Sequence, residues 1–358
     1  MGDADFLKRA LELAKRGEGH TRPNPPVGAV IVRNGKIIGE GWHKKAGGDH
    51  AEVAAIKDAL RNLKTSKPQN LKTCTIYVTL EPCSKPGRVG ACTDAIIAAG
   101  LRRVVYGSVD PNPVNRGRAK RVLAKHGIAC ERCKTSQPSQ LLNALNRLIA
   151  PFAKHVTTGM PYVTVKIAMS LDGKICDDYG NARWISSAKS RKETGYLREW
   201  VDAIMVGAET VRKDNPSLLS HGKRNDDLIR VVVTRSGKLP KNAQIFTDGA
   251  PNETLVFKVG EAASRRFNKD DFLTTKSGGT PFPHCKDLRD VLRQLGKSGV
   301  MHVLCEGGLN LARSFADAGL VDEWITVLAP KVIGSRRIGK AVSIPKAFVL
   351  SDDGIALR

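Results

Sequence analysis

Leu7, Leu11 and Ala14 recur at helical spacing between Asp5 and Arg16, which predicts an amphipathic opening helix. Pro23-Asn24-Pro25-Pro26 then excludes helix. Two short apolar runs, Val27–Val32 and Lys36–Gly39, flank Asn34-Gly35, the dipeptide that suits a two-residue hairpin turn with positive φ at both central positions. From His50 to Leu60 the apolar residues return to helical spacing, and Thr75–Leu80 reads as a buried strand. Cys92–Ala99 predicts a helix closed by Gly100, and Arg103–Gly107 another strand. A helix over 138–153 leads to Thr157-Thr158-Gly159-Met160-Pro161, a small-residue and proline stretch suited to a connection. The same alternation then restarts, with strands at 162–169, 203–206, 228–234 and 300–305 and helices at 187–200 and 309–318. Residues 258–286 are the least patterned stretch and are expected to be loop-rich, and no repeat of fixed period is visible.

Strands alternating with helices predict layered α/β domains. At 358 residues two domains are expected, one over 1–147, a connection over 148–160 and a second over 161–358. No run approaches the roughly 18 apolar residues of a membrane span, and Met1-Gly2-Asp3-Ala4-Asp5 has no basic-then-apolar export pattern, so a cytoplasmic protein is expected. Eight cysteines without framework spacing then point to reduced thiols, some of them metal ligands. The formal charge of +23 is shared by both halves: 26 basic against 12 acidic residues in 1–147, and 32 against 23 in the remainder. With no dense basic tail and no aromatic-interleaved stripe, that excess suits phosphorylated small molecules better than nucleic acid.

The candidate chemistry lies in His50-Ala51-Glu52, Pro82-Cys83 and Cys92. A hydrolytic deaminase needs a nucleophilic water near neutral pH, which Zn2+ on three protein ligands provides while leaving a fourth position open. His50 at a helix start, Cys83 at a strand end and Cys92 at a second helix start are the expected ligands. Glu52, two residues from His50, is the expected proton shuttle and not a ligand, the division found in zinc nucleobase deaminases. Cys130-Glu131-Arg132-Cys133 has metal-like spacing but no partner pair and reads as unligated thiols, while Cys74, Cys176, Cys285 and Cys305 read as structural.

The segments PNPPVGAVIV, GEGWHKKAGGDHAEV, TLEPCSKPGRVGAC and DPNP resemble the deaminase half of the bifunctional riboflavin-biosynthesis deaminase/reductases. Eight residues separate Cys83 from Cys92, where nucleoside and tRNA deaminases usually carry Cys-x-x-Cys. The basic loop so formed, with Lys85 and Arg88, suits an anionic phosphoribosyl tail. The resemblance implies a cytidine-deaminase-like α/β/α domain that removes the 2-amino group of a diaminopyrimidinone ribosylamine 5′-phosphate, with Asn24, His43, Lys85, Arg88, Asp110 and Asn112 at substrate-contacting positions. Asn24 and the 110–113 segment are also good turn sequences. Lys85 stands where the family loop carries His, Val89-Gly90-Ala91 where it carries Thr-Pro-Pro, and Asp49 where Pro is common.

In the second half Glu306-Gly307-Gly308 before a helix is a reasonable phosphate or cofactor turn, though Gly pairs are common. VKIAMSLDGKI, WISS, LREWVDAIMVGAETVRKDNPSL and CEGGLNLARSFADAGLVDEWITVLAPKVIG are similar to the same family's reductase half, so the resemblance spans nearly the whole chain. It implies a dihydrofolate-reductase-like α/β fold in which NADPH reduces the ribosyl group to ribityl. Cofactor contacts fall by resemblance on Ala168, Trp184, Thr210, Asp214 and the helix start Gly308, Leu309, Asn310, Leu311, Ala312, Arg313 and Ser314; substrate contacts fall on Lys166, Ala182, Arg198, Leu218, His221 and Glu306. Ala182 stands where Ser is usual, Asn215 where a second Asp is usual, His221 near an expected Arg, and Thr234-Arg235 at a usual Asp-Ser. The expected partners are phosphorylated pyrimidines and further copies of the chain, with neither nucleic acid nor membrane. Two alternatives stay open at this stage: a polynucleotide deaminase, and a deaminase whose reductase-like half is inactive.

Overall fold

The computed structural model describes residues 2–64, 71–85, 90–134, 138–177, 179, 184–220, 228–250, 252–260, 285–334, 342–343 and 355–357. Two compact units divide at Met160/Pro161.

The N-terminal unit comprises α1 (Asp3–Lys15), β1 (Gly28–Arg33), β2 (Lys36–Trp42), α2 (Ala51–Asn62), β3 (Thr75–Leu80), α3 (Cys92–Ala98), β4 (Arg103–Ser108), α4 (Arg118–Ala124), β5 (Ala129–Arg132) and α5 (Pro138–Thr158). Arg33 pairs with Lys36 across the Asn34-Gly35 turn, whose φ values of 50° and 73° are those the dipeptide was expected to supply. The five strands run β2-β1-β3-β4-β5, with β1 antiparallel to both neighbours and β3, β4 and β5 parallel. One face buries Ile31, Ile76, Val78 and Val104 beneath residues of α2, α3 and α4; the other buries Val30, Tyr77 and Val105 beneath α1 and α5. The result is a three-layer α/β/α sandwich.

Glycines let β2 and α2 approach backbone to backbone. A Cβ on Gly41 would lie 2.3 Å from the Ala55 nitrogen, and one on Gly39 2.5 Å from the Ala55 carbonyl oxygen. The segment 148–160, expected as a connection, is instead helical as far as Thr158: Leu141, Leu145, Leu148, Ile149 and Phe152 are all buried at helical spacing, so packing carries α5 through Pro151 despite the lost hydrogen bond.

The C-terminal unit comprises β6 (Tyr162–Ser170), α6 (Ala188–Tyr196), a 3-10 turn (Leu197–Glu199), β7 (Ala203–Gly207), α7 (Ala208–Asp214), β8 (Ile229–Thr234), α8 (Gln244–Thr247), β9 (Thr254–Lys258), α9 (Leu288–Lys297), β10 (His302–Cys305), α10 (Leu309–Asp317), β11 (Glu323–Ala329), β12 (Lys331–Val332), β13 (Val342–Ser343) and β14 (Ile355–Leu357). Its main sheet runs β14-β11-β6-β10-β7-β8-β9 and is parallel except where β14 joins β11. The late strand β10 inserts between β6 and β7, so the strand order reverses there, the place where open α/β sheets gather ligands at their carboxyl ends. Most of 258–286, the stretch expected to be loop-rich, lies outside the described residues; Val259 and Cys285 form an isolated parallel bridge at its two ends.

Candidate active sites

In the N-terminal unit three element ends meet. His50 is the N-cap of α2, Cys83 follows β3 by way of Glu81-Pro82, and Cys92 opens α3. Their ligand atoms all lie within 4.8 Å of one another, with His50 Nδ1 3.1 Å from Cys92 Sγ and 3.7 Å from Cys83 Sγ. Metal–ligand bonds of 2.0–2.3 Å at tetrahedral angles set donor atoms about 3.5–3.8 Å apart; the 3.7 Å separation matches that spacing and the 3.1 Å one is shorter, so the donor set suits Zn2+ after a small widening. Among the described residues this is the only group of three or more such side chains so placed; Cys130 and Cys133 are buried in opposite cores. The Cys83 thiol is held low, chiefly by its hydrogen bond with Cys92 and then by His50. The Cys92 amide donates to Cys83 Sγ at 3.3 Å, and the Thr93 amide to the Cys83 carbonyl at 3.1 Å.

Glu52 sits in the first turn of α2 beside this cluster, 3% exposed, and burial pushes its carboxyl up to about 7. A cavity of about 360 Å³ opens over it, lined by Asn24, His43, Lys85, Asp110 and Asn112 among others. His43 Nδ1 lies 2.9 Å from the Asp49 carbonyl oxygen, which only accepts, so Nδ1 carries the proton. Its Nε2 then accepts from Asn24 Nδ2 at 3.1 Å, leaving the Asn24 amide fixed at the cavity wall. Burial lowers the His43 pKa and keeps the ring neutral. Burial also pushes Asp110 up to about 6. Turn and cavity positions coincide here: Asp110 Oδ1 accepts the Asn112 amide and Asn112 Oδ1 the Val114 amide, while both residues line the cavity. Lys85 is exposed at the rim, and Arg88 lies outside the described residues.

Sequence reasoning missed Glu81, Asn115 and Phe152, which also line this cavity. Asn115 follows the DPNP segment and was within reach of it; Phe152 comes from α5, beyond the stretch assigned to this domain.

In the C-terminal unit Lys166 and Ala168 lie within β6, Glu306 to Gly308 follow β10 and Thr210 lies in α7 directly after β7, and β6, β10 and β7 are adjacent in the sheet. Arg198, in the 3-10 turn, forms a bidentate pair with Glu306 at 2.9 Å, and its Nη1 donates to the Leu219 carbonyl at 2.7 Å. A Cβ added to Gly308 would stand 3.5 Å from Thr210 Oγ1, which places α7 against the Gly307-Gly308 turn. Gly308, φ 68°, caps α10. Lys166 and Ala168 share one face of β6, two residues apart. Trp184 is exposed, with the Arg191 guanidinium 4.0 Å from its ring centroid and its carbonyl accepting from Lys331 Nζ. Asp214 ends α7 exposed, and Asn215 beyond it takes the left-handed conformation that Asn tolerates.

The side chains of Leu218, Leu311 and Ala312 are buried, and the Leu311 and Ala312 amides donate to the Gly308 carbonyl. Leu309, Asn310, Arg313 and Ser314 remain on the outer side of α10, with Arg313 paired to Asp317 and Ser314 Oγ donating to the Asn310 carbonyl. Ala182 and His221 lie outside the described residues.

The fold and these clusters define a deaminase-like unit with a metal-type donor set, joined to an open α/β unit. Comparison with known proteins agrees: the model for the cytidine and deoxycytidylate deaminase zinc-binding region matches residues 1–108, and that for the RibD C-terminal domain matches residues 161–348. The riboflavin biosynthesis protein RibD of Aquifex aeolicus is 36% identical over 334 residues, covering 93% of this chain and 88% of the relative. That of Escherichia coli is 36% identical over 343 residues, covering 94% and 89%. Among solved structures, RibD of Acinetobacter baumannii superposes with a TM-score of 0.77 at 33% identity, covering 98% of this chain and 93% of that one. A diaminohydroxyphosphoribosylaminopyrimidine deaminase/5-amino-6-(5-phosphoribosylamino)uracil reductase from Thermotoga maritima does so with a TM-score of 0.77 at 34% identity and the same coverage. The chain belongs to the RibD family of bifunctional riboflavin-biosynthesis deaminase/reductases.

Proposed function

We propose that the N-terminal unit hydrolyses the 2-amino group from 2,5-diamino-6-(5-phosphoribosylamino)pyrimidin-4(3H)-one, and that the C-terminal unit reduces the ribosyl group of the resulting aminouracil to ribityl with NADPH. The observation that carries the first step is the convergence of His50, Cys83 and Cys92 within 4.8 Å beside the buried Glu52. Zn2+, when bound by those three residues, supplies the lowered pKa, about 7, that makes water nucleophilic near neutrality. Glu52 takes one proton from the attacking water and delivers it to the ring nitrogen, then carries the second proton, from the hydroxyl now on the ring carbon, to the departing amine, which leaves as ammonia as the carbonyl forms. The Asn24 amide, locked by His43, and the Asp110-Asn112 turn orient the pyrimidine, and Lys85 at the rim meets the 5′-phosphate.

In the C-terminal unit NADPH, when bound, supplies the hydride for the sugar C1. Thr210 and the amides of Leu309 and Asn310, which precede the first intrahelical bonds of α10, face its phosphates. Arg198, held by Glu306, and Lys166 hold the phosphosugar. A cytoplasmic setting suits the eight free cysteines.

A coupled assay on the diamino substrate with NADPH, reading ammonia release and NADPH oxidation separately, tests both steps. Chelation should stop ammonia release and leave reduction of the pre-formed aminouracil intact. Ammonia release that resists chelation would sink the zinc assignment, and absence of NADPH oxidation on the aminouracil would sink the reductase.

A further inference from the structure

The loop from Val109 to Gly117 presents Asp110, Asn112 and Asn115 to the deaminase cavity, yet it contains no strand or helix to set its position. What fixes it is a carboxylate. Glu81 is 2% exposed, and Oε2 accepts the amides of Asp110 at 3.2 Å and Gly117 at 3.1 Å while Oε1 accepts that of Ala119 at 3.3 Å. Among the described residues it forms no ion pair, so its charge is met by these amides. The bonded positions bracket the loop: Asp110 at its entry, Gly117 at its exit with φ +70°, and Ala119 in the first turn of α4. Between them the loop closes on itself through the Asp110 and Asn112 side chains and through the Asn115 and Arg116 amides, both donating to the Asn112 carbonyl. It also reaches the metal side, where Asn115 Oδ1 accepts the Ser84 amide at 3.4 Å, one residue beyond Cys83.

We propose that Glu81 is a positioning residue for pyrimidine recognition, its carboxylate setting the height at which Asp110 and Asn112 meet the ring, and this rests on the deaminase activity just proposed. Its two oxygens are engaged by loop amides, so it takes no part in proton transfer, which belongs to Glu52. Glu81 and Pro82 also link β3 to Cys83, so the residue that carries the chain to a candidate metal ligand holds the 109–117 part of the cavity lining as well.

Glu81→Gln preserves shape but turns one acceptor into an NH2 group facing an amide N–H, donor against donor. In the zinc-loaded full chain, KM for the diamino substrate should rise roughly tenfold with kcat within about threefold of wild type, the signature of lost ground-state binding. Amide hydrogen exchange at 110, 117 and 119 should accelerate, while zinc content and the reduction of pre-formed aminouracil stay at wild-type values. Glu81→Asp, which keeps both oxygens on a shorter stem, should recover part of the KM. Wild-type exchange at those three amides, an unchanged KM, a fall confined to kcat, or loss of zinc would each overturn the proposal. A wild-type chain that released no ammonia would overturn the deaminase activity itself, while the exchange measurement would still decide whether Glu81 holds the loop.

Discussion

At the scale of single residues, the deaminase depends on groups whose environment, and not only identity, suits them to their task. Glu52 is buried beside the His50, Cys83 and Cys92 ligand atoms and is not one of that group. Glu52→Gln keeps its volume and removes its proton traffic, so ammonia release should fall by roughly 10²–10⁴-fold with zinc content unchanged, as metal analysis would show. Arg198 is the corresponding residue of the reductase unit, 16% exposed and paired to Glu306 at 11%. Arg198→Ala would remove the bidentate guanidinium from that buried carboxylate and a donor from the Leu219 carbonyl, a destabilisation on the order of 2 kcal/mol or more. NADPH oxidation on the aminouracil and the thermal stability of the C-terminal unit should both drop, while ammonia release persists. His50, Glu52, Cys83 and Cys92 were legible because their chemistry is written in short spacing beside a helix start or a strand end. Glu81 and Phe152 were not, since what they touch lies far along the chain and only packing brings it near.

Elements divide along the same line. Strands β1 and β2 could be read directly because Asn34-Gly35 fixes their register locally, and β3 because six consecutive residues suit a buried strand. The short pieces α4, β5, α7 and α8, four to seven residues each, carry too few turns or alternations to stand out. At α5 the pattern stops short, at 153, because Thr157-Thr158-Gly159-Met160-Pro161 resembles a connection, whereas the helix runs on to Thr158. The glycines of β2 belong to this scale, because they set an inter-element distance. Gly41→Ala would force the β2 and α2 backbones apart, and α2 carries His50 and Glu52. We expect a destabilisation of about 1–3 kcal/mol together with weaker zinc retention during dialysis against chelator; a variant with wild-type melting temperature and metal content would show that the backbones yield more readily than their spacing indicates.

For the molecule as a whole, the two units can be followed separately, since three of the four tryptophans, Trp184, Trp200 and Trp324, lie in the C-terminal one. That unit contains His302, at the start of β10, with Nε2 2.8 Å from Thr164 Oγ1. Burial pushes its imidazole from the ordinary 6.5 down to about 4, with a hydrogen bond to the Trp200 backbone opposing. Below pH 6.5 the unfolded chain takes up a proton that the folded one refuses. Stability therefore falls as pH drops from 6.5 to about 4, by up to about 3 kcal/mol, and this contribution is flat above that window. Tryptophan-monitored denaturation should show the loss, and His302→Asn should flatten it; equal pH slopes in the two proteins would assign the acid sensitivity elsewhere.

The stitch at the zinc cluster has a consequence for how such a site diversifies. The Cys92 amide on Cys83 Sγ and the Thr93 amide on the Cys83 carbonyl tie the two ends of the intervening segment together at the thiol pair. Closing a longer segment onto a tie of that kind costs only about 0.6 kcal/mol for each doubling of its length. The stretch between the two cysteines is therefore a replaceable cassette: its length and charge can drift while Cys83 and Cys92 stay where they are.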